Sequence, residues 1–262
     1  MKDILFFGGS TGLILHEIFH KIFFNNNHDD YNLINFSQTA AGNFYMAGAF
    51  FEYLNKHPKP DYVFFKFTGL NRWDLPFDKK VKLEGYEYQT HPGVVPADHL
   101  NKDTAKSRLL SLATKSDKNW VFSGGHAEAW LKNSVLQRIF VNIYDPEDEN
   151  STIMQSWQQV FTCLSLCETM EIPYNWTFYY DVTNPPSKYS KMDGHAIQLP
   201  KCIPTKQMLD FAPLNYAYDI NDPPEDGSHY TRSVEEKYFK EEIIYNKIKY
   251  TLDKSKALKH EN

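Results

Sequence analysis

Cysteine is scarce in this chain, and two other features that often decide a protein's class are missing. Three cysteines among 262 residues exclude a disulfide scaffold. No run of about 18 apolar residues occurs, so we expect no segment that spans a membrane. A basic excess is also absent, because 28 Lys and Arg residues stand against 33 Asp and Glu residues. The resulting formal net charge of -5 argues against nucleic acid as the main partner.

A readable export signal is lacking as well. Residues 1–24 are partly apolar, but Asp3, the glycines at 8, 9 and 12, and Glu17 interrupt the apolar region, and no small-residue cleavage site follows. We therefore expect a cytoplasmic location by default. Phage association, or export by a route that leaves no readable signal, stays open, and the oligomeric state is not determined by the sequence.

Strand-like apolar runs alternate with helical patterns along the chain. Strands are predicted at 4–7, 33–36, 61–67, 119–122 and 174–180. Helices are predicted at 12–24, 43–56, 102–116, 126–140, 151–170, 205–211 and 231–256. This alternation predicts an α/β fold with a doubly wound parallel sheet that helices cover on both faces. We expect a single domain over residues 1–262, with an irregular insertion at about 75–101.

Four short segments lie where such a sheet would bind a ligand, near the carboxyl ends of its strands. Three of them follow the first three predicted strands, and the fourth precedes the last helix: Gly8-Gly9-Ser10-Thr11-Gly12, Ala41-Gly42-Asn43, Gly69-Leu70-Asn71 and Asp226-Gly227-Ser228-His229. Each segment alone is compatible with ordinary turn or cap chemistry. Their joint order along the chain is the more specific signal.

Together these segments resemble the SGNH hydrolase superfamily, also called GDSL esterases and lipases, over roughly residues 3–255. The family is named for Ser, Gly, Asn and His in four blocks, which would here be Ser10, Gly42, Asn71 and His229. Asp226 would complete a catalytic triad. The resemblance implies a three-layer α/β/α sandwich of the flavodoxin-like type, with a five-stranded doubly wound parallel sheet and the 75–101 insertion near the active-site edge.

The resemblance also implies a reaction. Ser10 would attack a carboxylic ester, His229 would act as its base, and Asp226 would orient the imidazole. The backbone N–H groups of Ser10 and Gly42 and the side-chain amide of Asn71 would form the oxyanion hole. Such chemistry needs no cofactor and no metal. The expected substrate is a small-molecule or carbohydrate ester. We favour an O-acetyl group on a sugar, because the resembled family often removes such groups and aromatic residues can stack on sugar rings; a lipid ester is the alternative.

Two departures from the family's motifs put turnover in question. Gly9 stands where the family's Gly-Asp-Ser has Asp, and Arg72 stands where its Gly-x-Asn-Asp has the second Asp. Neither position supplies an atom of the triad, but both can alter the geometry of the loops. They motivate a different class of function, a catalytically inactive SGNH-fold protein that binds a partner or serves as a virion structural protein.

Three further residues are candidates for contact with substrate. Trp73 directly follows the Asn71 segment and can wall a pocket, although ordinary packing explains it equally well. Arg72 can bind an acidic group of the substrate or remain a surface charge. His126 follows the predicted strand at 119–122, where a polar residue at the start of a helix is the simpler interpretation.

Other enzyme classes fit less well. In the glycine-rich turn, Ile14 stands where a dinucleotide-binding motif needs its third glycine. Tyr62 and Lys66 have the Tyr-x-x-x-Lys spacing of short-chain dehydrogenases, but on a strand their side chains would lie far apart. His16 and His20 are spaced like metal ligands on a helix, yet no carboxylate pattern accompanies them, and no metal site is predicted.

Overall fold

A computed structural model of the chain describes residues 2–24, 31–38, 41–70, 72, 74–77, 110–111, 119–122, 149–186, 196–224 and 230–257. For residues 10, 75–77, 110–111, 119–122, 149–151 and 255–257, the description is limited to the backbone. The strands in these ranges are β1 Lys2–Gly8, β2 Tyr31–Asn35, β3 Tyr62–Phe67, β4 Asp74–Phe77, β5 Leu110–Ser111, β6 Asn119–Phe122 and β7 Tyr174–Phe178. The helices are α1 Leu15–Phe23, α2 Asn43–Lys56, α3 Glu149–Thr169, α4 Pro213–Asp219, α5 Arg232–Lys240 and α6 Glu242–Ala257.

A parallel sheet of four strands forms the centre of the fold, in the order β2-β1-β3-β7. Ile4 of β1 is in register with Leu33 on one side and with Tyr62 on the other. The chain passes from β1 to β2 on one side and returns to β3 on the other. The carboxyl ends of β1 and β3 therefore form the switch point of the sheet, where open α/β sheets bind ligands.

Helices pack on both faces of this sheet, because its buried strands alternate apolar side chains between the two faces. One face contacts α1, α5 and α6 through a cluster that includes Ile4, Phe6, Tyr62 and Phe64. The opposite face contacts α2 and α3 through a cluster that includes Leu5, Phe7, Val63 and Phe65. The predicted α/β class, with a parallel sheet between helices, is confirmed, and α2 has the predicted bounds.

The predicted strand at 119–122 is a strand, but it does not belong to the parallel sheet. It is β6, and it pairs antiparallel with β4 and β5 in a second sheet of order β4-β6-β5. The described parallel sheet thus has four strands where the sequence predicts five. Strand propensity reports a chain's fit to a pleated surface and does not select the partner strand. Its partner β4 was not predicted, because it contains Pro76, and a proline argues against a strand although an edge strand tolerates one.

Three predicted elements differ in detail. Residues 110–111, inside the predicted helix 102–116, form β5. Residues 205–211 form no helix: the backbone of Leu209 bonds to Trp176 and so covers the edge of β7. The predicted long helix at 231–256 is two helices, α5 and α6, separated at Glu241. The predicted helix 126–140 and most of the 75–101 insertion lie outside the described residues.

None of the helices within the described ranges has the length and apolar character needed to cross a membrane.

Candidate active site

Close packing at the turn after β1 leaves no room for side chains at its glycines. Residues Ser10–Gly12 form one 3-10 turn, in which the Gly12 N–H donates to the Gly9 carbonyl at 2.8 Å. A Cβ on Gly12 would lie 2.5 Å from the Oγ of Ser37, and a Cβ on Gly8 would lie 3.1 Å from the same oxygen. These glycines allow the chain that follows β2 to pack directly against the turn.

The segments that follow β1, β2 and β3 meet around Gly9. A Cβ on Gly9 would lie 2.8 Å from Thr68 Cγ2, 3.5 Å from the Ala41 carbonyl oxygen and 3.6 Å from Arg72 Nη1. Arg72 Nη1 also donates to the Ala41 carbonyl at 3.4 Å. Gly9 and Arg72, the two residues that differ from the SGNH motifs, are therefore neighbours in space. Position 9 accepts a larger residue only if Thr68 moves.

The N-terminus of α2 is occupied by the buried carboxylate of Asp74. Both carboxylate oxygens of Asp74 accept the Gly42 N–H at 2.9 Å, and Oδ2 also accepts the Tyr45 N–H at 2.9 Å. Burial raises the pKa of Asp74 to about 7, although the two backbone N–H groups and the nearby Arg72 lower it. The Gly42 N–H, predicted as an oxyanion donor, thus already has an acceptor.

Gly42 is confined by the same arrangement. A Cβ at this position would lie 2.9 Å from Arg72 Cβ and 2.9 Å from Asp74 Oδ2. Any larger residue would displace the segment after β3 from the start of α2. Close packing therefore explains the glycine without reference to catalysis.

A buried amide holds the start of α2 against the end of β3. The Oδ1 of Asn43 accepts the Thr68 N–H at 3.0 Å, and its Nδ2 donates to Ser156 Oγ on α3 at 2.8 Å. The Asn43 side chain is fully buried, so these bonds satisfy groups that water cannot reach. They fix the relative positions of the segments after β2 and β3.

Lys66, near the carboxyl end of β3, contacts three other segments with one ammonium group. It donates to the Thr11 carbonyl at 2.9 Å and forms a short, buried salt bridge with Glu235 of α5. Its ammonium also lies 5.0 Å from the centre of the Tyr230 ring, a cation–π contact. The turn after β1 and the start of the segment that leads into α5 therefore meet on the same side chain.

The Lys66–Glu235 pair is withdrawn from solvent, with side-chain exposures of 0% and 2%. Burial lowers the pKa of Lys66 and raises the pKa of Glu235, and the attraction between the two groups opposes both shifts. Tyr230 packs between this pair and the end of β7, where its ring stacks on Tyr179 with centroids 5.6 Å apart. Lys66, Glu235 and Tyr230 are thus in contact with β3, the turn after β1, α5 and the end of β7.

Only part of the predicted site lies within the described ranges. Gly42 and Arg72 are described in full, and Ser10 by its backbone, which opens the 3-10 turn. The other predicted residues lie outside the described ranges: Asn71, Trp73, His126, Asp226 and His229. The triad and the roles of Asn71, Trp73 and His126 stay predictions. Thr11 and Tyr230, the chain neighbours of Ser10 and His229, are described, and both contact Lys66.

Sequence reasoning missed three buried charges beside the predicted site, namely Asp74, Lys66 and Glu235. Lys66 carries a signal that could have been used, because it is the only charged residue in the apolar run Tyr62–Phe67. Glu235 carries none, because a charged residue on a helix rich in charges is expected to face solvent, yet Glu235 is buried. Asp74 lies three residues after Asn71, and nothing in the sequence there predicts that its side chain bonds to Gly42.

The described ranges contain no group of three or more His, Cys, Asp or Glu residues arranged to hold a metal ion. Comparison with known proteins adds no assignment. No protein-family model matches the chain, and no curated protein or solved structure is significantly similar to it.

Proposed function

We propose that this chain is an SGNH-type serine hydrolase that cleaves a carboxylic ester, with a carbohydrate O-acetyl ester as the favoured substrate. The proposal combines the four sequence segments with the contacts among their described neighbours. It assigns the nucleophile to Ser10, the base to His229 and the orienting carboxylate to Asp226.

The observation that carries the proposal is the shared contact of Thr11 and Tyr230 with Lys66. Thr11 directly follows Ser10, and Tyr230 directly follows His229. Both meet one ammonium group at the switch point of the sheet, although 219 positions separate them in sequence (230 minus 11). Consecutive Cα atoms are about 3.8 Å apart, so contacts by these neighbours support the expectation that the two proposed catalytic residues are close.

In the proposed reaction, His229 accepts the Ser10 proton as the Ser10 oxygen bonds to the ester carbonyl carbon. The imidazolium then returns the proton to the departing alcohol, and water releases the acyl group by the same steps. Negative charge on the carbonyl oxygen is stabilised by the Ser10 N–H and the Asn71 amide. Gly42 adds a third donor only when its N–H leaves the Asp74 carboxylate.

A fluorophosphonate probe tests the assignment of the nucleophile. Attack by Ser10 forms an oxygen–phosphorus bond and expels fluoride, so wild-type protein is expected to gain one label, located at Ser10 by peptide mass spectrometry. Ser10→Ala should remove the label, whereas Ser165→Ala on α3 should retain it. Labelling that persists in folded Ser10→Ala would refute the assignment.

Substrate class is tested with esters of different acyl length. Acetylated sugars and p-nitrophenyl acetate should be hydrolysed faster, by kcat/KM, than p-nitrophenyl esters of long-chain acids. The opposite order would favour the lipid-ester alternative.

A second candidate function is a catalytically inactive SGNH-fold binding or virion structural protein. One observation favours it: the Gly42 N–H is bonded to Asp74 and so is not directed at an oxyanion. The same probe separates the two functions, because well-folded wild-type protein that takes up no label would support the inactive one.

A further inference from the structure

We propose that Lys66 is a positioning residue for the proposed triad: its contacts with Thr11 and Tyr230 set the distance between the turn that carries Ser10 and the segment that carries His229. This inference rests on the proposed function, and it assigns to a buried lysine a role that no motif in the sequence indicates. Lys66 acts through its neighbours and does not touch the substrate.

The contacts of Lys66 are distributed as such a role requires. One donor bonds to the Thr11 carbonyl, inside the turn that Ser10 opens. A second N–H donor of Lys66 bonds to Glu235, which lies one turn into α5. The ammonium lies over the face of the Tyr230 ring. The start of α5 is itself fixed by Thr231, whose side chain accepts the Val234 N–H. The side chain therefore joins both loops to the rigid end of β3.

Stability alone does not account for a lysine at this position. Lys66 shares a face of β3 with Tyr62 and Phe64, so an apolar residue would suit its surroundings. Removing an ammonium and a carboxylate from water is costly, and replacement of a buried ion pair by apolar residues is often neutral or stabilising. What an apolar residue cannot supply is a directed bond to the Thr11 carbonyl together with a second to Glu235.

Catalysis depends on the bond between Lys66 and the Thr11 carbonyl, because the rate is sensitive to the position of the nucleophile. A nucleophile displaced by about 1 Å from its base can lose on the order of a hundredfold in rate. The Thr11 carbonyl is in the residue after Ser10, so loss of the Lys66 bond removes a restraint directly beside the proposed nucleophile. Tyr230 loses its cation–π contact in the same substitution and then depends on its stacking against Tyr179.

The test uses a variant that removes the positioning bond but leaves no buried charge unpaired, Lys66→Met/Glu235→Leu. We expect its Tm to lie within about 5 °C of the wild-type value, since the apolar pair fills the same space. Its rate of labelling by the fluorophosphonate should nevertheless fall by about 10- to 100-fold. For hydrolysis of p-nitrophenyl acetate, kcat should fall while KM stays constant.

Two further variants separate positioning from a general effect of charge. Glu235→Gln removes the carboxylate but leaves Lys66 able to donate to Thr11, so labelling should remain within about threefold of wild type even if the Tm falls. Lys56→Met removes the lysine of an exposed salt bridge with Glu52 on α2 and should label at the wild-type rate. If the apolar double variant does not fold, Lys66→Met/Glu235→Gln replaces it, because it also removes the donor to Thr11 and leaves no buried charge, and the same fall in labelling is expected.

Wild-type rates in the folded double variant, or equal losses in it and in Glu235→Gln, would overturn the positioning role and leave the proposed function intact. Wild-type protein that takes up no label would instead refute both the proposed function and the role of Lys66 within it.

Discussion

The carboxyl group of Asp74 accepts the backbone N–H of Gly42 at 2.9 Å, so an acidic side chain of the protein itself occupies the start of α2. Free N–H groups and the helix dipole make a helix N-terminus a favourable place for negative charge. Here the carboxylate also accepts the Tyr45 N–H, and it is buried. The cost of burial and the benefit of these bonds oppose each other, and burial has the larger effect on the pKa.

Asp74 should therefore make the protein less stable as the pH rises toward neutrality. Its pKa is about 7 in the folded protein against an ordinary value of 3.8, so between these values the folded state holds a proton that the unfolded state has lost. Stability consequently falls over this range. Relative to Asp74→Asn, wild type should lose a few kcal/mol between about pH 4 and pH 8, measured by urea unfolding. If the free energy of unfolding depended on pH in the same way for the two proteins, this prediction would be wrong.

Arg72 should set where that loss occurs. Its positive charge lowers the pKa of Asp74 in the folded protein, so Arg72→Gln should extend the pH-dependent loss of stability to higher pH and leave its onset at low pH unchanged. The double variant Arg72→Gln/Asp74→Asn serves as the control, because without the carboxylate the Arg72 substitution should leave the shape of the pH curve unchanged. An equal shift in both backgrounds would mean that Arg72 acts on another group.

Much of the central sheet could be predicted because its signals are local. The runs 4–7, 61–67 and 174–180 are apolar enough to identify buried strands, and the period of 43–56 identifies α2. The role of 119–122 could not be predicted, since its apolar character suits a parallel or an antiparallel partner equally well. Its pairing depends on β4, and β4 was not recognised as a strand because it contains Pro76.

The candidate site was less predictable than the fold. The glycines were predicted to form turns and an oxyanion hole; the structure shows in addition that added Cβ atoms would meet Ser37, Thr68 or Asp74. The same contacts show why a glycine motif is ambiguous: packing requires glycine at these positions whether or not the site is catalytic. The buried Lys66–Glu235 pair joins residues 169 positions apart, a separation at which no local pattern links two charges.

Placing Asp at position 9, as in the SGNH motif, should destabilise the protein through a single contact. The new Cβ would lie 2.8 Å from Thr68 Cγ2, so Gly9→Asp should cost about 1–3 kcal/mol. Thr68→Ser removes that methyl group and keeps the hydroxyl. The double variant should therefore be more stable than the sum of the single effects predicts, by at least about 0.5 kcal/mol in a double-mutant cycle based on urea unfolding. Strict additivity would exclude this contact as the cause.

Two hydroxyls one turn apart on α3 should respond oppositely to removal, although both residues are fully buried. Ser156 Oγ accepts a bond from Asn43, and Ser156→Ala should cost about 1–3 kcal/mol because the amide is left short of an acceptor. Thr152 Oγ1 has no hydrogen-bond partner among the described residues, and its hydroxyl therefore bears a desolvation penalty without compensation.

Thr152→Val, which keeps the branched shape of the side chain, should accordingly leave the free energy of unfolding unchanged or raise it by up to about 1 kcal/mol. Urea unfolding of the two variants checks this, with equal m-values as the sign that only stability has changed. The Asn43–Ser156 bond also holds the start of α2 against Thr68, so Ser156→Ala should slow labelling at Ser10 whereas Thr152→Val should not. If both substitutions destabilise equally, the two hydroxyls make equivalent bonds, and the amide is not what orders the start of α2.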